Sequence, residues 1–262
     1  KAITIFVHGT GGNAASRTHF GAQEPDLSTN ELRFVWEDSA HSESRLEAAK
    51  ELAKVIKTFP GTEFSGHSHG GNVINQAFDL ALLSKRKKVS EHEYTKRAKR
   101  LYSLAQSEQG LLKYSLAIVG AMGNELALSM LRDPNEYSVE DYIKKLEESV
   151  ETLKLHDHHT NKSPKKHLVY LAATPTDEEV YPPCRDKDLA ETILIYSKDD
   201  GIVSLLEFFG LYGRKYADNL ATNISVHDID HLPLTGHDYI PFYLPGYERS
   251  SALQNYLRAQ PI

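Results

Sequence analysis

The chain has 262 residues, a length that suits one large α/β domain or two small ones. Its 40% hydrophobic and 25% charged residues are typical of a soluble globular protein, and a net charge of −6 argues against general nucleic-acid binding. The single cysteine, Cys184, excludes an internal disulfide and leaves the compartment open. No signal peptide is visible, and because the sequence opens at Lys1 without a methionine, a processed or trimmed form is expected, either cytoplasmic or secreted.

Strand-like and helix-like segments alternate along most of the chain. A helix with one apolar face begins at Ser42, and a second helix-like run covers residues 71–78. Alternation of this kind predicts a parallel sheet with right-handed crossovers and flanking helices. Six apolar or β-prone runs are the predicted strands: 2–7, 32–36, 62–65, 168–173, 192–197 and 223–227.

Residues from about 85 to 166 interrupt this alternation, because they contain no strand signal. Ser138 and Asp141 are spaced as in a capping box, followed by a helix with an apolar face. Residues 111–131 are the most apolar part, but internal charges favour a buried or lid helix pair over a membrane span. The sequence therefore predicts one domain over residues 1–262 with a helical cap insertion at about 85–166.

The pattern G-x-S-x-G occurs at Gly66–Gly70, after the third predicted strand and before a helix-like run. A serine hydroxyl is a weak nucleophile unless a base lies beside it and the residue is exposed. A sharp strand-to-helix turn provides that exposure, and flanking glycines allow the close backbone approach. Ser68 is therefore the predicted nucleophile.

The acid and the base are expected in loops after the later strands, since strand ends of a parallel sheet meet at one edge. Asp200 is favoured over Asp199 as the acid, because Asp-x-x-Val at a strand end is a common frame for it. His237 follows the sixth strand at a Gly-His step and is the favoured base. His231, in the same loop region, is the alternative base, and Asp199 is the alternative acid.

Main-chain amides are the expected donors for an oxyanion. One is the amide of His69, the residue after the nucleophile, and the other comes from the glycine-rich loop after the first strand. Thr10 is the favoured donor there, with Gly9 or Gly11 as neighbouring choices. The same loop lacks the Gly-Lys-Ser/Thr ending of a phosphate-binding P-loop.

The order Ser68, Asp200, His237 resembles that of the α/β-hydrolase superfamily, in its lipase and esterase branch. The matching pieces are residues 7–9, 66–71, 200–203 and 236–237. This resemblance implies an α/β-hydrolase-like sheet that matches the later strands of the full fold, a Ser-Asp-His triad and a covalent acyl-enzyme. We therefore expect a serine carboxylic-ester hydrolase that acts on an ester or lipid without cofactor or metal.

Two other functions remain open at this stage. An acyltransferase or thioesterase would use the same triad with another acceptor or substrate, and a binding module would carry an inactive one. Two basic runs at residues 85–88 and 96–100 are either a solvated helix face or a surface for anionic lipid headgroups. Two groups with zinc-ligand chemistry are interpreted as polar loops rather than zinc sites: residues 156–159, and Asp228, Asp230 and His231.

Overall fold

The computed structural model describes residues 3–10, 30–37, 41–119, 137–156, 165–216, 223–232 and 235–244. Six strands in these ranges form one sheet in which every neighbouring pair is parallel. The strands are β1 Thr4–Val7, β2 Glu31–Phe34, β3 Glu63–His67, β4 His167–Ala172, β5 Ala190–Tyr196 and β6 Ile224–Asp228. The predicted fold class, a parallel α/β sheet with flanking helices and a helical insertion, is confirmed.

The strand order β2-β1-β3-β4-β5-β6 reverses direction between β1 and β3. Loops after the carboxyl ends of strands diverge at such a switch point, which leaves a crevice where ligands bind. Five helices accompany the sheet in the described ranges: α1 Ser42–Thr58, α2 His69–Ser84, α3 Glu91–Val119, α4 Val139–Lys154 and α5 Gly201–Phe208. A short 3₁₀ helix follows at Ile240–Tyr243.

The boundaries differ from the sequence-based expectation at several strands. β2 ends at Phe34 rather than at Trp36, whose indole Nε1 instead donates to His8 O at 2.9 Å and lies buried in the core. β3 continues through His67, so α2 begins directly after Ser68. Each difference moves a strand end by one or two residues, which periodicity alone does not resolve.

Among its described residues, the insertion contains the helices α3 and α4, flanking turns and no strand. Ser138 and Asp141 form the predicted capping box, in which Ser138 Oγ accepts from Asp141 N and the Asp141 carboxylate accepts from Ser138 N. Residues 111–119 continue α3, and residues 120–131 lie outside the described residues. Among the described helices, none is long and apolar enough to cross a membrane.

The basic runs of the insertion are engaged within the protein more than was expected. Arg97 binds both carboxylate oxygens of Asp79, and Arg100 binds Asp177 at 2.7 and 2.9 Å. Lys96 lies 3.5 Å from Glu179. These ion pairs fasten α3 to α2 and to the segment after β4, so residues 96–100 form a packing surface rather than a fully solvated face.

Gly70 lies where the first turn of α2 passes over the end of β1. A Cβ atom on this residue would stand 2.1 Å from Val7 O and 2.5 Å from His8 O, both of them backbone atoms. Backbone cannot rotate away as a flexible side chain can. Any side chain at this position would therefore push α2 off the sheet.

We expect Gly70→Ala to lower the free energy of unfolding by about 1–3 kcal/mol or more, the usual cost of overpacking. Gly110→Ala is the matched control, because a Cβ at this helical glycine meets nothing within 4 Å. The control should be neutral or stabilising by up to about 1 kcal/mol through helix propensity. Urea unfolding of both variants tests this, and equal stability of the two would contradict the close packing described.

Candidate active site

Ser68 stands at a strained turn between β3 and α2. Its φ of 52° and ψ of −130° are unusual for a residue with a side chain, and strain of this kind clusters at functional sites. The turn is held by hydrogen bonds from Ser68 N to Ala172 O at 2.9 Å and from Gly71 N to Ser68 O at 3.0 Å. This is the strand–turn–helix geometry that the G-x-S-x-G pattern requires.

Gly66 and Gly71, on either side of Ser68, allow two close approaches. A Cβ on Gly66 would lie 2.7 Å from Gly71 Cα, and one on Gly71 would lie 2.0 Å from Thr174 Oγ1. Thr174 is buried beneath this turn. The glycines therefore let strand, helix and the loop after β4 meet at van der Waals distance.

The loop after β1 lies directly against the turn. A Cβ on Gly9 would stand 2.8 Å from Ser68 Cβ, so only a glycine fits beside the serine. The buried His8 ring fixes this loop, because Nδ1 donates to Gly9 O at 2.9 Å while Nε2 accepts from Trp36 N at 3.3 Å. Thr10, the predicted second oxyanion donor, follows immediately, and Gly11 lies outside the described residues.

Asp200 and His237 are hydrogen-bonded to each other. His237 Nδ1 donates to the Asp200 carboxylate, with distances of 2.9 and 2.8 Å to its two oxygens, and both side chains are nearly buried. Asp200 also caps α5 by accepting from Val203 N at 2.9 Å. The carboxylate thus accepts from both the first turn of α5 and His237, and in the tautomer with hydrogen on Nδ1 the acceptor nitrogen of His237 is Nε2.

The alternative residues have other surroundings. Asp199 accepts from Thr235 Oγ1 at 2.7 Å, and His231 is exposed to solvent. Neither takes part in the Asp200–His237 hydrogen bonds. The catalytic roles of these four residues remain predictions, but only one acid and one histidine are paired.

His67, the residue before the nucleophile, connects the turn to His237. Its Nε2 donates to His237 O at 3.0 Å, and the two rings lie 4.9 Å apart between centroids. Within the part of the chain that the structure describes, no hydrogen bond joins Ser68 Oγ to His237 directly. Catalytic hydrogen bonds are often long without substrate and tighten when it binds.

The His69 side chain enters a buried polar cluster that the sequence did not reveal. Asn72 Nδ2 donates to His69 Nδ1 at 3.0 Å, and His69 Nε2 lies 3.4 Å from Glu108 Oε1 on the cap helix α3. Burial, together with the charges of Arg45 and His237, holds the pKa of His69 well below its usual value. The ring is therefore neutral, and its hydrogen is on Nε2, which faces Glu108.

Glu108 is the centre of this cluster. It accepts from Arg45 Nη2 at 2.8 Å and from the Tyr212 hydroxyl at 2.5 Å, and Arg45 Nε donates to the Tyr181 hydroxyl at 2.9 Å. Arg45 has no exposed surface, yet its pKa is raised: burial alone would lower it, and Glu108 and the tyrosines outweigh that effect. The pair of charges therefore joins α1, the cap helix and the residue after the nucleophile.

Cys184 is the single cysteine of the chain, and its thiol could also act as a nucleophile. It is a free, buried thiol whose Sγ lies 3.8 Å from Asp186 O. Burial raises its pKa to about 11, so very little reactive thiolate exists near neutral pH. Cys184 is therefore a poor candidate nucleophile, and the role of Ser68 remains a prediction.

We expect Glu108→Gln to lower the free energy of unfolding by about 3–5 kcal/mol, because it leaves Arg45 as a buried cation without its counter-charge. Glu178→Gln is the matched control, since its pair with Arg185 is largely exposed and should contribute about 0–1 kcal/mol. Urea unfolding provides the comparison. A loss for Glu108→Gln no larger than that of the control would contradict the buried pair.

Comparisons with known proteins give distant similarity only. No family model matches the chain, and no curated protein matches it. Among solved structures it is similar to MGS-M2, an α/β hydrolase from a Medee basin deep-sea metagenome library, at 13% identity and a TM-score of 0.35, covering 100% of this chain and 90% of that one. It is similar also to a thermophilic esterase from Thermogutta terrifontis, at 12% identity and a TM-score of 0.28 over 98% of this chain and 90% of that chain. A third similarity is to the Vlm2 thioesterase domain, at 12% identity and a TM-score of 0.27 over 97% of this chain and 95% of that chain. At these scores the function has to be argued from the geometry of the site itself.

Proposed function

We propose that this protein is a serine carboxylic-ester hydrolase with Ser68 as nucleophile, His237 as base and Asp200 as the group that orients it. The observation that carries the proposal is the pair of short hydrogen bonds from His237 Nδ1 to Asp200, at 2.8 and 2.9 Å, next to a strained serine turn. A carboxylate on Nδ1 fixes the tautomer in which Nε2 accepts a proton. The connection from His67 to His237 supports a location of that base beside Ser68.

In the first half of the proposed reaction, His237 Nε2 takes the Ser68 hydroxyl proton as Oγ attacks the ester carbonyl. The amides of His69 and Thr10 donate to the oxygen that becomes negative, and each such donor is worth about 3–4 kcal/mol in the transition state. His237 then gives its proton to the leaving alcohol. The result is an acyl group on Ser68 Oγ.

In the second half, a water replaces the alcohol. His237 removes a proton from this water, the hydroxide attacks the acyl carbon, and the same amides hold the new oxyanion. Ser68 regains its proton from His237 as the acid leaves. If another alcohol or thiol replaced water, the same residues would act as an acyltransferase, which product analysis distinguishes.

We further propose that the ester carries an apolar group presented at a lipid surface. α5, which Asp200 caps, turns Ile202, Leu205, Phe208 and Phe209 to solvent, and Phe208 is 82% exposed. At 100° per residue these positions fall in an uncharged arc about 120° wide. Exposed apolar patches of this kind mark interaction surfaces, and this one begins at the acid of the site.

The basic residues 85–88 are less well placed for that role. They follow α2, whose 16 residues span about 24 Å from Ser68. Ser84, at the end of α2, accepts from Lys57 at the end of α1, which leads into the start of β3. Residues 85–88 therefore lie near the amino-terminal ends of the strands, whereas Ser68 lies at the carboxyl-terminal ends.

A fluorophosphonate probe should label the native chain once, and Ser68→Ala should abolish that labelling, because the probe needs an activated serine. Ser103→Ala, on the exposed side of α3, is the control and should be labelled like the native protein. Intact-protein mass gives the stoichiometry. Labelling that survives Ser68→Ala at full strength would refute the nucleophile assignment.

His237→Ala should lower kcat/KM at least about 10²-fold through loss of the general base, and Asp200→Asn should lower it by up to about 10⁴-fold. The matched controls are His231→Ala and Asp199→Asn, which should retain activity within a few-fold. Short soluble p-nitrophenyl esters are the assay. A deeper loss in either control than in its partner variant would reverse the assignment of that role.

The double variant Leu205→Ser with Phe208→Ser should lower the ratio of long-chain to short-chain ester hydrolysis about tenfold on anionic vesicles, because it removes two apolar contacts.

Charge reversal in the basic run should have no selective effect on the same ratio. The ratio for Lys87→Glu with Lys88→Glu should equal that for a control pair of the same charge change, Lys166→Glu with Lys187→Glu. A selective loss in the Lys87 and Lys88 variant would instead support docking on anionic lipid through the basic run.

A further inference from the structure

Three side chains with metal-binding chemistry meet at the Ser68 turn although they are far apart in sequence. Candidate ligand atoms of His67, His237 and Asp238 lie within 4.8 Å of one another. His67 and His237 are partly buried, and Asp238 is exposed. His67 already has a partner, because its Nε2 donates to His237 O, so an ion would have to displace the present partner of the nitrogen that it binds. Of the other groups considered from sequence, Asp230 accepts from Ser197 Oγ and Lys198 N, and residues 157–159 lie outside the described residues.

Two imidazoles and one carboxylate are a common ligand set for Zn²⁺ in sites that keep a fourth position open. In a tetrahedral site with bonds of 2.0–2.2 Å, neighbouring ligand atoms stand about 3.4 Å apart. The three side chains would therefore rotate to bring these atoms closer together, and His67 would exchange a present contact for the ion. Because Asp238 faces solvent, the ion can enter without displacing the core.

The hydrogen bonds of His237 also suit metal binding. Metal-bound histidines usually donate their other ring nitrogen to a carboxylate or a carbonyl, which fixes the ring and raises the basicity of the ligating nitrogen. His237 Nδ1 already donates to Asp200, so Nε2 presents a lone pair. The arrangement that prepares His237 to accept a proton prepares it equally well to bind an ion.

We propose that His67, His237 and Asp238 form a reversible inhibitory Zn²⁺ site. Zinc on Nε2 of His237 would occupy the lone pair that the proposed mechanism uses to deprotonate Ser68. The inhibitory effect rests on the proposed function, whereas the binding of zinc by the three side chains does not.

The binding experiment uses chelator-treated, untagged full-length protein titrated with ZnCl₂ by calorimetry. We expect one high-affinity Zn²⁺ per chain, retained in Ser68→Ala, which leaves the three ligands intact. His67→Gln and Asp238→Asn should each weaken binding at least about tenfold, since each removes a ligand. His231→Gln, an exposed histidine outside the cluster, is the matched control and should bind as the native chain does.

The inhibition experiment compares ester hydrolysis with ZnCl₂ and after addition of chelator. We expect full recovery with chelator and a rise in the inhibitory zinc concentration of at least about tenfold in Asp238→Asn. Zinc binding that is unchanged in both His67→Gln and Asp238→Asn would overturn the proposed site. Ligand-dependent binding to a chain that hydrolyses no ester would uphold the site and refute the proposed function, so the two failures are distinguishable.

Discussion

The close approach of three backbone segments at Ser68 is the constraint on which the site depends. The end of β1, the turn after β3 and the first turn of α2 meet so closely that an added Cβ would clash. This holds at four positions: Gly9, Gly66, Gly70 and Gly71. This contact lies at the switch point of the sheet, between the carboxyl ends of the neighbouring strands β1 and β3. It gives the serine its strained backbone and brings the amides of the β1 loop to the same place.

The second constraint is a buried charge rather than a close contact. Glu108 belongs to the cap helix, and its carboxylate joins Arg45 of α1 to the neutral His69 ring and the Tyr212 hydroxyl. Because the two opposite charges are buried together, moving the cap helix away would leave an unpaired buried charge at a large cost in free energy. The pair therefore favours one position of the cap helix. The same contact controls the side chain of His69, whose amide is a proposed oxyanion donor, so the position of the cap and the geometry of the turn are coupled.

Short stretches of sequence predicted much of the fold. Apolar runs predicted all six strands, and the spacing of Ser138 and Asp141 predicted a capping box that the structure contains. The Gly-His step and the Asp-x-x-Val frame selected the histidine and carboxylate that the structure pairs, while their catalytic roles still await experiment. These features depend on short stretches of sequence, where periodicity and turn chemistry act directly.

The features that sequence missed depend on distant residues. Arg45 and Glu108 are 63 positions apart, and His67 and His237 are 170 apart, so no periodic pattern relates them. A glutamate in the middle of a largely polar helix looks like any solvated charge until packing buries it. The basic residues at 96–100 were ambiguous for the same reason, because their partners Asp79 and Asp177 lie on other elements.

The central claim is that catalysis passes through an acyl group on Ser68. Rapid-quench kinetics with p-nitrophenyl acetate, followed by peptide mapping of the acid-quenched protein, tests it most directly. The account predicts a burst of about one p-nitrophenol per chain and an acetyl group on the peptide that contains Ser68. Steady hydrolysis with no burst, or an acetyl group that maps to another residue, would contradict it.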